Sequence, residues 1–295
     1  MFMAKRKLED LNLLDDFLFG SVVNYPEIGE KFIRELLHVI FGKDFGKLTV
    51  IPQKVYHGSD TDKHGARLDV YIEENYADES ENTTTVYDVE PDKNVNDVSI
   101  LPQRVRFYHA KIDARSLKSG ESYCMLKKVV VILITPYDPF GLNRMIYTIR
   151  NKCDEVPTMP YDDRARTIFL YTKGTEGIPS EELEKFLYYM EHTTEENAVN
   201  DNLRNIHKMV NLVKQDEEVS LEYMKIFERE EMLIQQGIQQ GIQQGIQQGR
   251  KEEQANTKRE YQRAEKEKTR AEKEKARADQ LEKELQQLKR KLERS

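Results

Sequence analysis

The sequence predicts an α/β fold in which helices flank a mixed β-sheet, followed by a helical annex and a coiled-coil tail. Three observations predict it. A helical stripe precedes three strand-like stretches, a second stripe precedes two more, and the chain beyond Pro179 has helical periodicity. We therefore expect three parts: an α/β domain over residues 1–178, the annex over 179–232 and the tail over 233–295.

Two amphipathic helices are predicted within the α/β domain. The first spans Pro26–Phe41, where proline stands at the entrance and the apolar side chains share one face. Those side chains are Ile28, Phe32, Leu36, Val39 and Ile40. The second helix is indicated by four residues at helical spacing, namely Leu101, Val105, Tyr108 and Ile112.

Five strands are predicted from short apolar or alternating runs. Three lie between the two helices, over residues 48–55, 67–72 and 84–90. The acidic stretch 73–82 between the last two indicates a hairpin loop. Val129–Ile134 is aliphatic throughout, so we expect a central strand that is buried on both faces. The fifth strand is Thr167–Tyr171.

The tail contains two repeats. Residues 234–249 repeat Ile-Gln-Gln-Gly four times. Each glycine costs a lone helix roughly 1 kcal/mol relative to alanine, which close approach of another helix would offset. A flexible linker is the alternative. Further on, apolar residues recur every seven positions at Ala264, Ala271, Ala278, Leu285 and Leu292, with Leu281 and Leu288 at a second seam position.

Such a heptad pattern is typical of a coiled coil, and the alternative is a single helix solvated on all sides. We expect a homo-oligomer, dimeric or higher, that assembles through residues 233–295. We expect no membrane partner, since the longest aliphatic run, Val129–Ile134, is far shorter than a membrane span. No apolar signal segment follows Met1, so a cytoplasmic location is expected.

The net charge and the spacing of the cysteines limit which functions are expected of the chain. The chain carries −7, and residues 250–295 hold 16 Lys/Arg against 11 Asp/Glu, so residues 1–249 carry −12. An acidic body is unusual for a nucleic-acid binder, although the carboxylates of a metal site count as negative until the ion binds. The two cysteines, Cys124 and Cys153, have no zinc-ligand spacing and indicate two partly buried thiols.

Acidic residues lie inside or at the end of two adjacent predicted strands. Asp69 interrupts an apolar strand, Glu90 closes the next one, and Asp88, Glu90 and Asp92 alternate onto one face. Strands about 4.8 Å apart would let Asp69 and Glu90 reach one divalent cation, which would relieve the repulsion between carboxylates. The alternative is that Asp69 caps a turn or pairs with Arg67, and that residues 90–92 are a polar strand exit.

The order of these features resembles that of a known family. A helix, an Asp in a strand and Glu-x-(Lys/Gln) at the end of the next strand form the layout of PD-(D/E)xK nucleases. More closely, the chain resembles the bacterial PD-(D/E)xK transposase or recombination-promoting nuclease (Rpn) family, over roughly residues 10–250. The segments that carry the resemblance are 15–19 (DDFLF), 65–70 (GARLDV), 87–92 (YDVEPD) and 101–109 (LPQRVRFYH).

The resemblance implies a restriction-endonuclease-like core in residues 1–178 and a metal-dependent DNA endonuclease activity linked to recombination or mobile elements. Asp69 and Glu90 match the metal-binding carboxylates, for which Mg²⁺, Mn²⁺ or Ca²⁺ would be the cofactor. Asp92 departs from the pattern because it stands where the family has Lys or Gln. A lysine there would orient the attacking water, which aspartate cannot do. Asp92 is therefore either a third metal ligand or the mark of a weakened enzyme.

Arg104 and Tyr108 lie one helical turn apart next to the strand that carries Glu90. The resemblance implies that they contact a phosphate or support the metal site. The alternative is that Tyr108 is half in the core and Arg104 pairs with a surface acid. Lesser candidates are Gln103 as an assisting residue, Lys111 as a migrated lysine and Glu35 as an extra acid, whereas Lys93 points to the other face of the strand and His64 is a loop residue.

Two other functional classes remain open at this point. One is a nuclease fold that no longer cleaves and serves as a DNA-binding or regulatory module, which Asp92 and the acidic body favour. The other is an interaction protein whose tail is the active part. No helix-turn-helix that could read a transposon end is evident in the sequence.

Overall fold

Six strands form one mixed sheet in the computed structural model, which describes residues 7–56, 66–75 and 84–292, the last seven of these by their backbone alone. In chain order they are β1 (Lys47–Tyr56), β2 (Ala66–Asn75), β3 (Thr85–Pro91), β4 (Lys128–Thr135), β5 (Ile146–Ile149) and β6 (Ala165–Tyr171). The order across the sheet is β1-β2-β3-β4-β6-β5. The pairs β1–β2, β2–β3 and β5–β6 are antiparallel, and β3–β4 and β4–β6 are parallel.

Six α-helices accompany the sheet within the described ranges. They are α1 (Asp16–Asn24), α2 (Gly29–Phe41), α3 (Leu101–Asp113), α4 (Glu181–Glu191), α5 (Asp201–Gln215) and α6 (Glu217–Leu292). The predicted α/β class, with a mixed sheet flanked by helices and a long C-terminal helix, is confirmed.

β4 lies at the centre of the core. Its alternate side chains Val130, Ile132 and Ile134 join the apolar cluster that α1, α2, α4 and α5 cover. Val129, Val131 and Leu133 join a second cluster, together with Leu101, Val105 and Ile112 of α3. The expectation of a strand buried on both faces is therefore confirmed, and the two faces are covered by different helices.

The first helices differ from the prediction. A helix that was not predicted, α1, begins after Asp15, whose side chain accepts a hydrogen bond from the Phe17 amide at 3.2 Å. α2 begins at Gly29 rather than Pro26. A Cβ at Gly29 would lie 2.0 Å from the Val23 carbonyl oxygen, so only glycine fits the close approach of α1 and α2. The four-residue edge strand β5 was not predicted either.

The annex helices α4 and α5 share their core with the helices that precede the sheet. Phe186 of α4 and Ile206 and Val210 of α5 are fully buried in the cluster that α1 and α2 line. One compact unit of the chain ends at Met224 and a second begins at Lys225. The boundaries expected at residues 178 and 232 stay predictions.

The described part of the second unit, residues 225–292, is helical. α6 continues without interruption through Gly237–Gly249, as the helical alternative for this repeat requires, rather than the linker. Ile234, Ile238, Ile242 and Ile246 are each 52–58% exposed in the single chain. Within the described residues, no helix combines the length and apolar character needed to cross a membrane. Both cysteines are free thiols, and Cys124 is exposed rather than partly buried.

Candidate active site

The pairing of β2 and β3 positions the predicted acidic residues. The strands run antiparallel, and the pairing ends with Val70 opposite Val89, so that Asp69 and Glu90 are the next residues in this register. Oε1 of Glu90 accepts a hydrogen bond from the backbone amide of Asp69, with 2.9 Å between oxygen and nitrogen. The two residues that the sequence singled out are therefore in direct contact.

A small cavity lies beside Asp69, at the edge of the sheet where α1 approaches. It encloses about 310 Å³ and is lined by Asp16, Phe19, Gly20, Gln53, Arg67, Asp69 and Pro91. Glu90 is the neighbour of Pro91 in the chain, but its side chain does not line this cavity. The convergence of the Asp69 and Glu90 carboxylates on one ion therefore stays a prediction, since the contact described joins a carboxylate to an amide.

Burial and mutual repulsion raise the pKa values of these acids. Burial, followed by the charge of Asp16, raises the pKa of Asp69 to about 6. Burial, followed by the charge of Asp69, raises the pKa of Glu90 to about 8, although the Asp69 amide opposes this rise. Arg104 also lowers both pKa values. A nearby cation would stabilise the ionised form of such carboxyls and lower their pKa values.

Asp88 is the most deeply buried acid of the group. It is fully buried, and neither of its carboxylate oxygens receives a hydrogen bond from a donor in the described residues. Burial and then the charges of Glu90 and Asp69 raise its pKa well above the usual range. When one of the two carboxyls is protonated, Asp88 and Glu90 can form a hydrogen bond with each other through that proton.

The donor set of Asp69, Asp88 and Glu90 offers only carboxylate oxygen, the ligand that hard divalent cations such as Mg²⁺ and Ca²⁺ prefer. The orphaned oxygens of Asp88 fit such an ion as well. However, no three His, Cys, Asp or Glu side chains within the described ranges are arranged so that they could hold a metal ion as they stand. The three ligands predicted from the sequence, Asp69, Glu90 and Asp92, are thus not a ready-made three-residue centre.

Asp92 is engaged on both carboxylate oxygens. Oδ1 accepts a hydrogen bond from the Asn94 amide at 2.6 Å, and Oδ2 accepts one from Nη2 of Arg104 in a short ion pair. Asp92 is buried, and the Arg104 side chain is about three-quarters buried. Of the alternatives for Arg104, pairing with an acid is found, but the acid belongs to the candidate site rather than to the surface.

Tyr108 lies one turn beyond Arg104 on α3. Its ring centroid is 6.0 Å from the guanidinium carbon of Arg104, and the side chain packs partly buried against the core of that face. Burial and then the charge of Glu90 raise the pKa of Tyr108, so its hydroxyl keeps its proton. It can donate a hydrogen bond towards the carboxylates or a bound phosphate.

The lesser candidates lie elsewhere or add little. Nζ of Lys93 donates to Asn12 at 2.9 Å, on the side of the sheet where α1 begins. Lys111 lies over the Phe107 ring, and Glu35 lines a different depression beside Arg34 and His38. Gln103 is exposed. The position predicted for His64 falls outside the described residues.

Asp16 is the site residue that sequence reasoning missed. It belongs to α1 and shares the cavity with Asp69, and its charge is the largest Coulombic contribution to the raised pKa of Asp69. Burial and then Asp15 raise the pKa of Asp16 itself. The pair Asp15-Asp16 could have indicated it, because a helix start needs only one capping aspartate. Asp15 is that cap, and Asp16 faces the site.

Comparison of the chain with family models, with curated proteins and with solved structures finds no match.

Proposed function

We propose that this chain is a cytoplasmic, metal-dependent DNA endonuclease with a restriction-endonuclease-like core, in which Asp69 and Glu90 hold a divalent cation and Arg104 binds phosphate. The hydrogen bond from the Asp69 amide to Glu90 carries the proposal, because it joins the two acids that the resemblance assigns to the metal. The order of elements supports it too: three antiparallel strands, then α3, then the parallel strand β4.

The chain's own residues contribute orientation, charge and exclusion of water. The Asp69 amide fixes one oxygen of Glu90, and a cation would take the place of the proton that this carboxyl shares with Asp88. Arg104 brings a guanidinium, the geometry best suited to phosphate oxygens. The site is largely buried, so electrostatic interactions within it are stronger than in water. When bound, a divalent cation would activate the attacking water and neutralise charge on the phosphate.

The test is cleavage of supercoiled plasmid DNA with Mg²⁺, Mn²⁺ or Ca²⁺ in turn. The wild type should nick the plasmid in a metal-dependent manner, and Asp69→Ala and Glu90→Ala should abolish nicking while circular dichroism shows an unchanged fold. Glu35→Ala is the matched control, since Glu35 lines a separate depression. Wild-type protein that cuts no DNA with any of these metals would refute the enzymatic assignment.

A second candidate is a nuclease fold that binds DNA without cutting it and serves a regulatory role. The residue at position 92 favours it, because the sequence has Asp92 where a lysine or glutamine would orient water, and this aspartate is paired with Arg104. The net charge of −12 on residues 1–249 favours it as well. Metal binding without cleavage of any DNA form would select this function. With either candidate function, we propose a role in recombination or in the activity of mobile elements.

We also propose that the tail assembles copies of the chain. The apolar residues at the heptad positions all lie on one helix. The same pattern on a second copy of this helix is complementary to it, so we infer that the partner is another copy of the chain. Leu281 and Leu285 are each about half exposed in the single chain. Two or more copies would bury them along a common seam.

A further inference from the structure

The ion pair of Asp92 with Arg104 gives Asp92 a different role from the one its position suggested. Both of its carboxylate oxygens are occupied, one by the Asn94 amide and one by the guanidinium. Each oxygen keeps a second lone pair, but a cation bound there would lie beside the Arg104 guanidinium, whose positive charge would repel it. The geometry therefore favours Asp92 as a partner of Arg104.

Only some of the N–H donors of Arg104 take part in this contact. Nη2 is paired with Asp92, whereas Nη1 lies 3.9 Å from the nearer Asp97 oxygen, which is beyond hydrogen-bonding distance. Nε is buried and has no hydrogen-bond partner in the described residues. A guanidinium has five N–H donors, so a ligand oxygen can still be bound beside the Asp92 contact.

The position of Arg104 relative to the other acids points the same way. Arg104 pairs with Asp92, which directly follows β3 and is two residues beyond Glu90, so the guanidinium lies next to the strand end that carries Glu90. In keeping with this placement, its charge lowers the pKa values of Asp69, Asp88 and Glu90 alike. Asp92 itself is buried, and burial followed by the charge of Asp92 raises the pKa of the nearby Tyr137 hydroxyl. Arg104 is thus held at the rim of the candidate metal site by an acid that does not belong to the metal.

We propose that Asp92 is a positioning residue that holds the Arg104 guanidinium next to Asp69 and Glu90, so that Arg104 binds a phosphate oxygen of the DNA backbone through the donors that Asp92 leaves open. The inference rests on the proposed function for the identity of its ligand. It assigns to the pair the positive charge that position 92 itself does not provide.

The sign of one mutational effect separates positioning from simple electrostatics. Replacing Asp92 by asparagine removes a negative charge near a polyanionic ligand, and electrostatics alone would then tighten DNA binding. If Asp92 works by holding Arg104, the same change releases the guanidinium and weakens binding. The two explanations therefore predict opposite shifts for Asp92→Asn.

The experiment measures the affinity of the full chain for a short fluorescein-labelled duplex by anisotropy, at low salt and in EDTA, so that neither metal nor cleavage contributes. We expect Arg104→Gln and Asp92→Asn each to weaken binding by roughly 10-fold, as for loss of a positioned charged hydrogen bond. The double variant should be no weaker than Arg104→Gln alone, because the two residues act as one unit. Arg106→Gln, which removes an exposed charge from the same helix, is the matched control and should change affinity little.

Asp92→Glu provides a second variant in case Asp92→Asn unfolds; it keeps the charge but displaces the carboxylate, and it should also weaken binding. Tighter binding by Asp92→Asn, or an equal effect of this change with and without Arg104, would overturn the inference. Normal binding by Arg104→Gln in a protein that cleaves plasmid would overturn it while the nuclease function stands. A wild type that binds the duplex through Arg104 but never cleaves would support the inference and refute the hydrolytic function. No binding by the wild type would overturn both.

Discussion

The carboxylate of Glu90 accepts a hydrogen bond from the backbone amide of Asp69 across the β2–β3 pair. This contact fixes a buried acid on one strand against the acid-bearing residue of the next. Around it lie three more acids, Asp16, Asp88 and Asp92, together with Arg67 and Arg104. A cluster in which buried acids outnumber the nearby arginines is costly in a folded protein, and such clusters are characteristic of functional sites.

The raised pKa values predict that cation binding depends on pH. Glu90, with a pKa of about 8, holds a proton at pH 7, whereas a cation requires the ionised form. Affinity for Mg²⁺ should therefore rise as pH increases from about 6 to 9, with proton release on binding. Calorimetry at pH 7 in two buffers of different ionisation enthalpy measures this release. Identical heats in both buffers, with affinity independent of pH, would contradict the prediction.

The same acid should make the metal-free protein less stable at alkaline pH. The folded pKa of Glu90, about 8, lies above the ordinary value of 4.5 for a glutamate, so between these values the folded state holds a proton that the unfolded state releases. The free energy of unfolding should thus fall as pH rises from about 4.5 to 9. Glu90→Gln should lessen this decline in urea unfolding curves recorded in EDTA, whereas Glu35→Gln should not. A wild-type stability that climbs over this range would count against the assigned burial of Glu90.

The packing of the annex can be tested at Phe186. This side chain is fully buried on α4 in the core that α1 and α2 share, so Phe186→Ala should lower the free energy of unfolding by about 3–5 kcal/mol. Tyr188→Ala on the same helix is the control, because Tyr188 is about half exposed. Equal urea midpoints for the two variants would mean that α4 does not belong to this core.

Self-association of the tail can be tested at its leucines. Leu281→Glu combined with Leu285→Glu places two charges on the proposed seam, and we expect the mass measured by light scattering to fall to that of one chain. Gln280→Glu adds a charge to the same helix outside the apolar seam positions and should leave the mass unchanged. A wild type that is already monomeric would refute the proposed assembly.

Periodicity predicted most of the fold because most elements bury one clear apolar face. α3 and β4 follow the residues that their spacing indicated, with Leu101, Val105 and Ile112 inward on α3. α1 was missed because its start is polar and its nine residues are too few to establish a period. β5 is an edge strand of only four residues, which a two-residue period cannot distinguish from a loop.

The candidate site was only partly predictable for a related reason. The register of β2 and β3 follows from their alternation, so the pairing of Asp69 with Glu90 was accessible from the sequence. The partner of Asp92 was not, because Arg104 comes from a helix whose placement depends on the packing of α3 over the sheet. Likewise, no donor among the described residues reaches the buried Asp88 carboxylate, and this is a property of three-dimensional packing that spacing along the sequence cannot predict.

Calorimetric titration of the metal-free chain with Mn²⁺ measures whether Asp69 and Glu90 share a cation. We predict saturable binding by the wild type, at least roughly 10-fold weaker binding by Asp69→Asn and by Glu90→Gln, and a double variant no weaker than the singles because both side chains hold the same ion. Glu35→Gln should bind as the wild type does. A wild type without saturable binding, or single variants that retain full affinity, would contradict the shared site.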